Sequence, residues 1–285
     1  AWGIDSVWLS AHLLGERAEV AVLPMMAAIA ARTQRLKFGP SVMMLPLRHP
    51  LTVAKEIATL DFLAPGRVIM AVGLGADEHE AEAFAVPLKQ RGGMTDEGIT
   101  ILRKLWAAPD VSHHGKYYHF DHVTINPRPA QKIDIWIGGK SEYALRRVAR
   151  LADGWFASFV TPEEFAAGQA QIRQLADAYG RETEEIEAGS IVFCHVDADG
   201  ARARRDFTAF FAGNPRRPPE LMLARSAVGT AAECRAILER YVEHGLTKYA
   251  LWPACPPAQL LRQLAYYAED IVPYFESRQV SVTTS

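Results

Sequence analysis

The chain has 285 residues, 49% hydrophobic and 22% charged, with 31 Lys and Arg against 33 Asp and Glu for a formal net charge of −2. That length supports one large core or two medium ones, and the composition excludes disordered, collagen-like and disulfide-scaffold classes. The even charge balance carries no bulk signal for nucleic acid or for a membrane surface. Cys194, Cys234 and Cys255 are far apart and form no CxxC pair, so they read as small buried hydrophobes in a reducing, cytoplasmic setting. The longest apolar stretch, 20–31, is too short to span a bilayer, and no secretory signal is expected from the residues at hand.

Residues 4–9 (IDSVWL) read as a strand, and 19–32 as an alanine-rich helix. A second strand is predicted at 36–44, a helix at 50–63, and a third strand at 67–72 that ends in Gly73-Leu74-Gly75. Residues 95–106 form an amphipathic helix with Ile99, Leu102, Leu105 and Trp106 on one face. The aromatic and histidine-rich stretch 111–128 reads as a surface hairpin. Beyond it come a strand at 133–137 running into Gly138-Gly139, a helix at 141–151, a strand at 154–158 and a helix at 162–179. A strand at 186–195 and a helix at 198–211 precede a breaker-rich insertion, 214–219 (NPRRPP). The remainder is a helix at 230–244 opened by a threonine cap, a strand at 248–252 and a last helix at 256–275.

Repeated strand-then-helix units without a compositional linker point to an α/β fold with a parallel sheet, in a single domain over 1–285. A closed (β/α)8 TIM barrel with insertions fits the length better than an open doubly wound sheet. The pattern is one unit short of a closed barrel, and Ala1-Trp2-Gly3 reads as the tail of a helix already running into Ile4. The first βα unit is therefore expected to lie outside the sequence at hand, or to be supplied by another segment or chain.

In such barrels the working groups sit where strands end. His12 follows the first strand, where an imidazole can move a proton or hydrogen-bond a ring cofactor; a locally satisfied loop histidine is the plain alternative. Gly138-Gly139-Lys140-Ser141 opens a helix, so its backbone N–H groups and the helix terminus suit a phosphate, with Ser141 as cap, as ligand, or as both. Lys140 either offsets phosphate charge or is a solvated lysine. Gly73-Leu74-Gly75 continues as Ala76-Asp77-Glu78 rather than completing a dinucleotide fingerprint, so close backbone approach to a ligand is the better reading. His113, His114, His119 and His122 match no zinc spacing, and no metal site is expected. His49 stands at a helix start, where a structural role is the alternative. There is no GxSxG, P-loop or HExxH.

Five stretches then carry a family resemblance: 3–12 (GIDSVWLSAH), 58–75 (ATLDFLAPGRVIMAVGLG), 90–106 (QRGGMTDEGITILRKLW), 136–155 (WIGGKSEYALRRVARLADGW) and 228–252 (VGTAAECRAILERYVEHGLTKYALW). They occur in family order, and the chain resembles the bacterial-luciferase-like superfamily of flavin- and deazaflavin-dependent oxidoreductases. The resemblance implies a barrel with the cofactor ring across its mouth and a histidine near the reactive ring, here His12. It also implies a non-proline cis peptide at Ser41-Val42 and cofactor phosphate contacts at Gly138 and Gly139. Deazaflavin-dependent sugar-phosphate dehydrogenases of the superfamily carry an acid just before the histidine and another after the GxG; here those positions are Ala11 and Ala76. A sugar-phosphate dehydrogenase is therefore not expected.

The resulting expectation is an oxidoreductase with His12 as the proton-handling residue and Ser41, Val42, Gly73, Gly75, Gly138, Gly139, Lys140 and Ser141 around the cofactor. The run 138–155 most resembles the branch that uses coenzyme F420, which implies hydride transfer to or from a small organic molecule. The alternatives are an FMN-dependent monooxygenase fed by a separate reductase, and a non-catalytic barrel subunit. The family further implies a homodimer, and the charge balance gives no expectation of nucleic-acid or membrane partners.

Overall fold

The structure is a computed structural model that describes residues 3–15, 19–75, 77–183 and 186–276. Ala1, Trp2 and Ala76, which entered the expectations above, lie outside the described residues. The chain divides into two compact units. One holds Asp5–Trp155 and Leu175–Ile186; the other holds Phe156–Gln174 and the described residues from Glu187 on, with Gly3 and Ile4.

The first unit begins with β1 (Ser6–Leu9), α1 (Val22–Arg32) and β2 (Lys37–Pro40). β1 and β2 pair in parallel from Ser6↔Lys37 to Leu9↔Pro40. The strand predicted over 36–44 is split: β3 (Met43–Met44) is a separate piece, and the Ser41–Val42 peptide between the two is cis. α2 (Pro50–Leu63) matches its predicted span because its start is written locally. Proline at the first helical position removes an N–H that would go unpaired anyway, and the His49 ring accepts the Leu51 N–H at 3.3 Å. His49 is thus a cap.

β4 (Met70–Gly73) pairs in parallel with β3 and with β7 (Ile135–Gly138), which is reached through α3 (Glu78–Ala83), α4 (Arg91–Ala107), β5 (Val111–His114) and β6 (His119–Val123). All four residues of β4 are buried, as a near-continuous apolar run in a covered parallel strand requires. β5 and β6 form the expected antiparallel hairpin. Three of its four histidines face different carboxylates: His113 faces Glu97 at 3.1 Å, His114 faces Asp121 at 2.9 Å and His122 faces Asp110 at 2.9 Å. Among the described residues no three His, Cys, Asp or Glu side chains are placed to hold a metal. α5 (Glu142–Leu151) closes this run, and the Asp153 carboxylate anchors the start of β7, accepting the Ile135 N–H at 2.8 Å and Arg103 at 2.6 Å.

β8 (Gly154–Ser158) and α6 (Pro162–Ala178) carry the chain onward. In the second unit β9 (Glu187–Val196) pairs in parallel with β10 (Ser226–Gly229) and with β11 (Lys248–Pro253). α7 (Gly200–Phe211), the short α8 (Pro219–Leu223), α9 (Ala231–Glu243) and α10 (Leu260–Tyr266) complete it. α9 opens with a full capping box between Thr230 and Glu233, the threonine signal read from the sequence. Phe193, Phe207, Phe211, Met222 and Val228 form the core of this unit. The last predicted helix is broken into a 3₁₀ turn, α10 and a π-turn at Tyr267–Ile271. Among the described residues no helix is long and apolar enough to cross a membrane.

Candidate active site

The predicted site residues all fall in the first unit, at the C-terminal ends of its strands. The Ser41 N–H donates to the Leu9 carbonyl at 2.7 Å, which sets the turn after β2 beside the end of β1. Val42 then wedges between the ends of β4 and β7. A Cβ added to Gly73 would lie 2.5 Å from Val42 Cγ2, and one added to Gly138 would lie 2.8 Å from Cγ1. Both distances are below contact, so the two glycines are what lets the valine sit there. A Cβ on Gly75 would meet Met44 Sδ at 2.9 Å, and the Gly75 carbonyl accepts Arg91 Nη1 at 2.7 Å.

Gly139 has φ +112°, a conformation that L side chains rarely adopt, and its carbonyl accepts the Trp155 indole N–H at 2.8 Å. Lys140 follows as an exposed side chain, and Ser141 caps α5 by accepting the Ala144 N–H at 3.3 Å. The glycine pair thus leads directly into a helix N-terminus, where backbone N–H groups and the helix dipole favour an anion. The Ser41 hydroxyl is buried without a hydrogen-bond partner among the described residues. An apolar valine surface, an unsatisfied buried hydroxyl and a helix N-terminus behind two glycines fit a flat ring that carries a phosphate.

His12 lies past the end of β1 with its side chain 49% exposed. Its Nδ1 is 3.0 Å from Oε2 of Glu80, a carboxylate only 2% exposed. The other oxygen of Glu80 accepts the N–H groups of Leu13 and Leu14, the latter at 3.1 Å. Glu80 was missed at the sequence level because α3 was missed. The signal was present: Asp77 caps α3, accepting the His79 N–H at 3.0 Å, and the Asp-x-x-Glu spacing from 77 to 80 is a helix-start signature.

A solved F420-dependent secondary alcohol dehydrogenase, in complex with an F420–acetone adduct, aligns over 95% of this chain and 90% of its own with a TM-score of 0.83 at 21% identity. A monooxygenase from Streptomyces bottropensis aligns over 96% and 89% with a TM-score of 0.81 at 24% identity. At these identities the likeness is one of fold: the chain has the α/β fold of the luciferase-like barrel proteins. The luciferase-like monooxygenase family profile matches residues 1–248, and the chain belongs to that family of oxidoreductases. An F420-dependent glucose-6-phosphate dehydrogenase of Nakamurella multipartita is 33% identical over 76% of this chain and 67% of its own length. One of the same description from Beutenbergia cavernae is 37% identical over 99% of this chain and 92% of its own.

Proposed function

We propose that this chain is a coenzyme F420-dependent oxidoreductase that moves hydride to or from a small organic substrate. The observation that carries the reading is the grouping, at the ends of β1, β2, β4 and β7, of a half-exposed imidazole, the Val42 wedge and the glycine-led N-terminus of α5. The sequence likeness to F420-dependent relatives supports the choice of cofactor. Bound F420 supplies a ring that accepts or gives hydride. Val42, seated in the room that Gly73 and Gly138 leave, would offer that ring an apolar surface, and the Ser41 hydroxyl would gain a partner. Gly138, Gly139 and the first turn of α5 would hold phosphate, with Lys140 and Ser141 at the same terminus. Gly75 is fixed through the Arg91 guanidinium on its carbonyl. His12 takes a proton from the reacting substrate atom or returns one to it.

Titrating the protein with F420 and with FMN, followed by cofactor fluorescence, tests the reading. Saturable binding of F420, with FMN much weaker, is expected. Tight binding of FMN alone overturns the choice and makes oxygen uptake with reduced FMN the next assay; binding of neither overturns the catalytic reading. With F420 bound, His12→Ala is expected to cut turnover by about 10²–10⁴-fold while leaving cofactor affinity within about threefold, as loss of a positioned acid or base does.

A further inference from the structure

We infer that Glu80 is the positioning residue for His12: it fixes the imidazole as the Nδ1–H tautomer and leaves the Nε2 lone pair as the working base. The inference deepens the reading of His12 above and rests on it only for its consequence in turnover. Oε1 of Glu80 is committed as an acceptor, because both of its partners, Leu13 and Leu14, are backbone N–H groups that only donate. Oε2 of the ionised carboxylate also only accepts, and it faces Nδ1 at 3.0 Å. The proton therefore belongs on Nδ1. Burial of the carboxylate beside a half-exposed ring points the same way. A carboxylate shielded from water must be satisfied by protein donors, and the two backbone donors plus Nδ1–H do so.

The same carboxylate sets position as well as tautomer. By gripping the two residues after His12, Glu80 holds the backbone that carries the ring, while Oε2 fixes the rotation of the ring itself. In use, the bond between a substrate atom and its proton breaks, a new N–H bond forms at Nε2, and the imidazolium keeps its Nδ1–H on Glu80. Reversal returns the proton. No acid stands directly before the histidine in this chain, since that position is the buried Ala11. The carboxylate comes instead from the first turn of α3.

Nitrogen-15 NMR of histidine-labelled protein at pH 8.5 tests this, with the His12 signals identified by their loss in His12→Asn. Wild type is expected to show a protonated Nδ1 and an unprotonated Nε2. Glu80→Gln keeps the shape, but its amide oxygen is drawn to the Leu13 and Leu14 N–H groups, so its NH2 faces Nδ1 and the two signals should exchange roles. Carbethoxylation of His12 by diethylpyrocarbonate, followed by mass spectrometry, should slow about tenfold in Glu80→Gln, the ratio one charge-assisted hydrogen bond supports. Glu80→Asp should retain the wild-type pattern. A protonated Nε2 in wild type, or identical spectra and rates in wild type and Glu80→Gln, overturns the inference. Wild type alone decides the tautomer if Glu80→Gln does not fold. Because no readout needs cofactor, a failed F420 titration and a failed tautomer assignment are separate results.

Discussion

Val42 restricts its neighbours through volume. Its two γ-methyls occupy the space that a side chain at 73 or at 138 would need. Gly73→Ala is expected to destabilise the protein by about 1–3 kcal/mol, the usual cost of forcing an extra methyl into a packed site. Val42→Ala in the same chain should recover most of that loss, since it removes the atom that collides. Denaturant melts of the two single variants and the double variant measure the coupling; additive losses would mean the valine is not the obstacle. With Ala11 before the histidine, glucose 6-phosphate, the substrate named for the relatives above, is expected to reduce F420 slowly or not at all. Rapid turnover of it by the wild type would refute this.

At the level of elements, the β5–β6 hairpin hangs on one carboxylate. Glu97 of α4 accepts the His113 ring at 3.1 Å, the Lys116 N–H at 3.1 Å and the Tyr118 N–H at 2.9 Å, and it also accepts the Tyr117 N–H. Burial pushes this carboxyl up, but the Tyr118 N–H, the His113 ring and the Tyr117 N–H outweigh it and hold Glu97 below its ordinary value. A carboxyl so depressed stabilises the fold above its unfolded value of about 4.3, and that contribution is lost as pH falls through the folded value. Amide protection factors in the hairpin should therefore fall as the pH is taken down below about 4. Glu97→Gln should abolish that step and cost about 1–3 kcal/mol at neutral pH, the scale of a broken charged hydrogen-bond set. Unchanged protection of residues 111–123 at low pH would count against it.

Elements with a local start signal were legible from sequence, and those without one were blurred. Pro50 and Thr230 mark their helices by capping chemistry that needs no tertiary partner. β10 escaped notice because Ser226–Gly229 is a four-residue run of mostly small side chains, and only its register with β9 makes it a strand. α4 begins earlier than its apolar periodicity suggests, since Gly92 and Gly93 carry no pattern to read. The glycines and His12 were readable as site candidates because strand ends in such folds hold the chemistry. The wedge of Val42 between Gly73 and Gly138 was not, since it depends on three segments distant in sequence.

Across the whole chain, the cysteines behave as packing groups. Cys194, Cys234 and Cys255 are all buried and unpaired as disulfides. Burial pushes the Cys194 and Cys255 thiols up, away from the reactive thiolate. The folded protein is therefore expected to consume almost no Ellman's reagent at pH 8, with all three thiols appearing in guanidinium. Fast reaction of even one in the native protein would mean that its surroundings open. The packing around Cys194 argues against that: Tyr267 donates to its carbonyl at 2.8 Å, and Gln263 clasps both the N–H and the C=O of the nearby Val196 at 2.8 Å.

The tether between the Trp155 indole and the Gly139 carbonyl makes an optical reporter of a stretch of backbone. An indole's emission responds to the dipole at its N–H, so any rearrangement of the Gly138–Ser141 turn should register as a change in colour or lifetime. Inorganic phosphate, which neither absorbs nor emits in the near ultraviolet, would then give a signal on its own. Trp155→Phe should silence it.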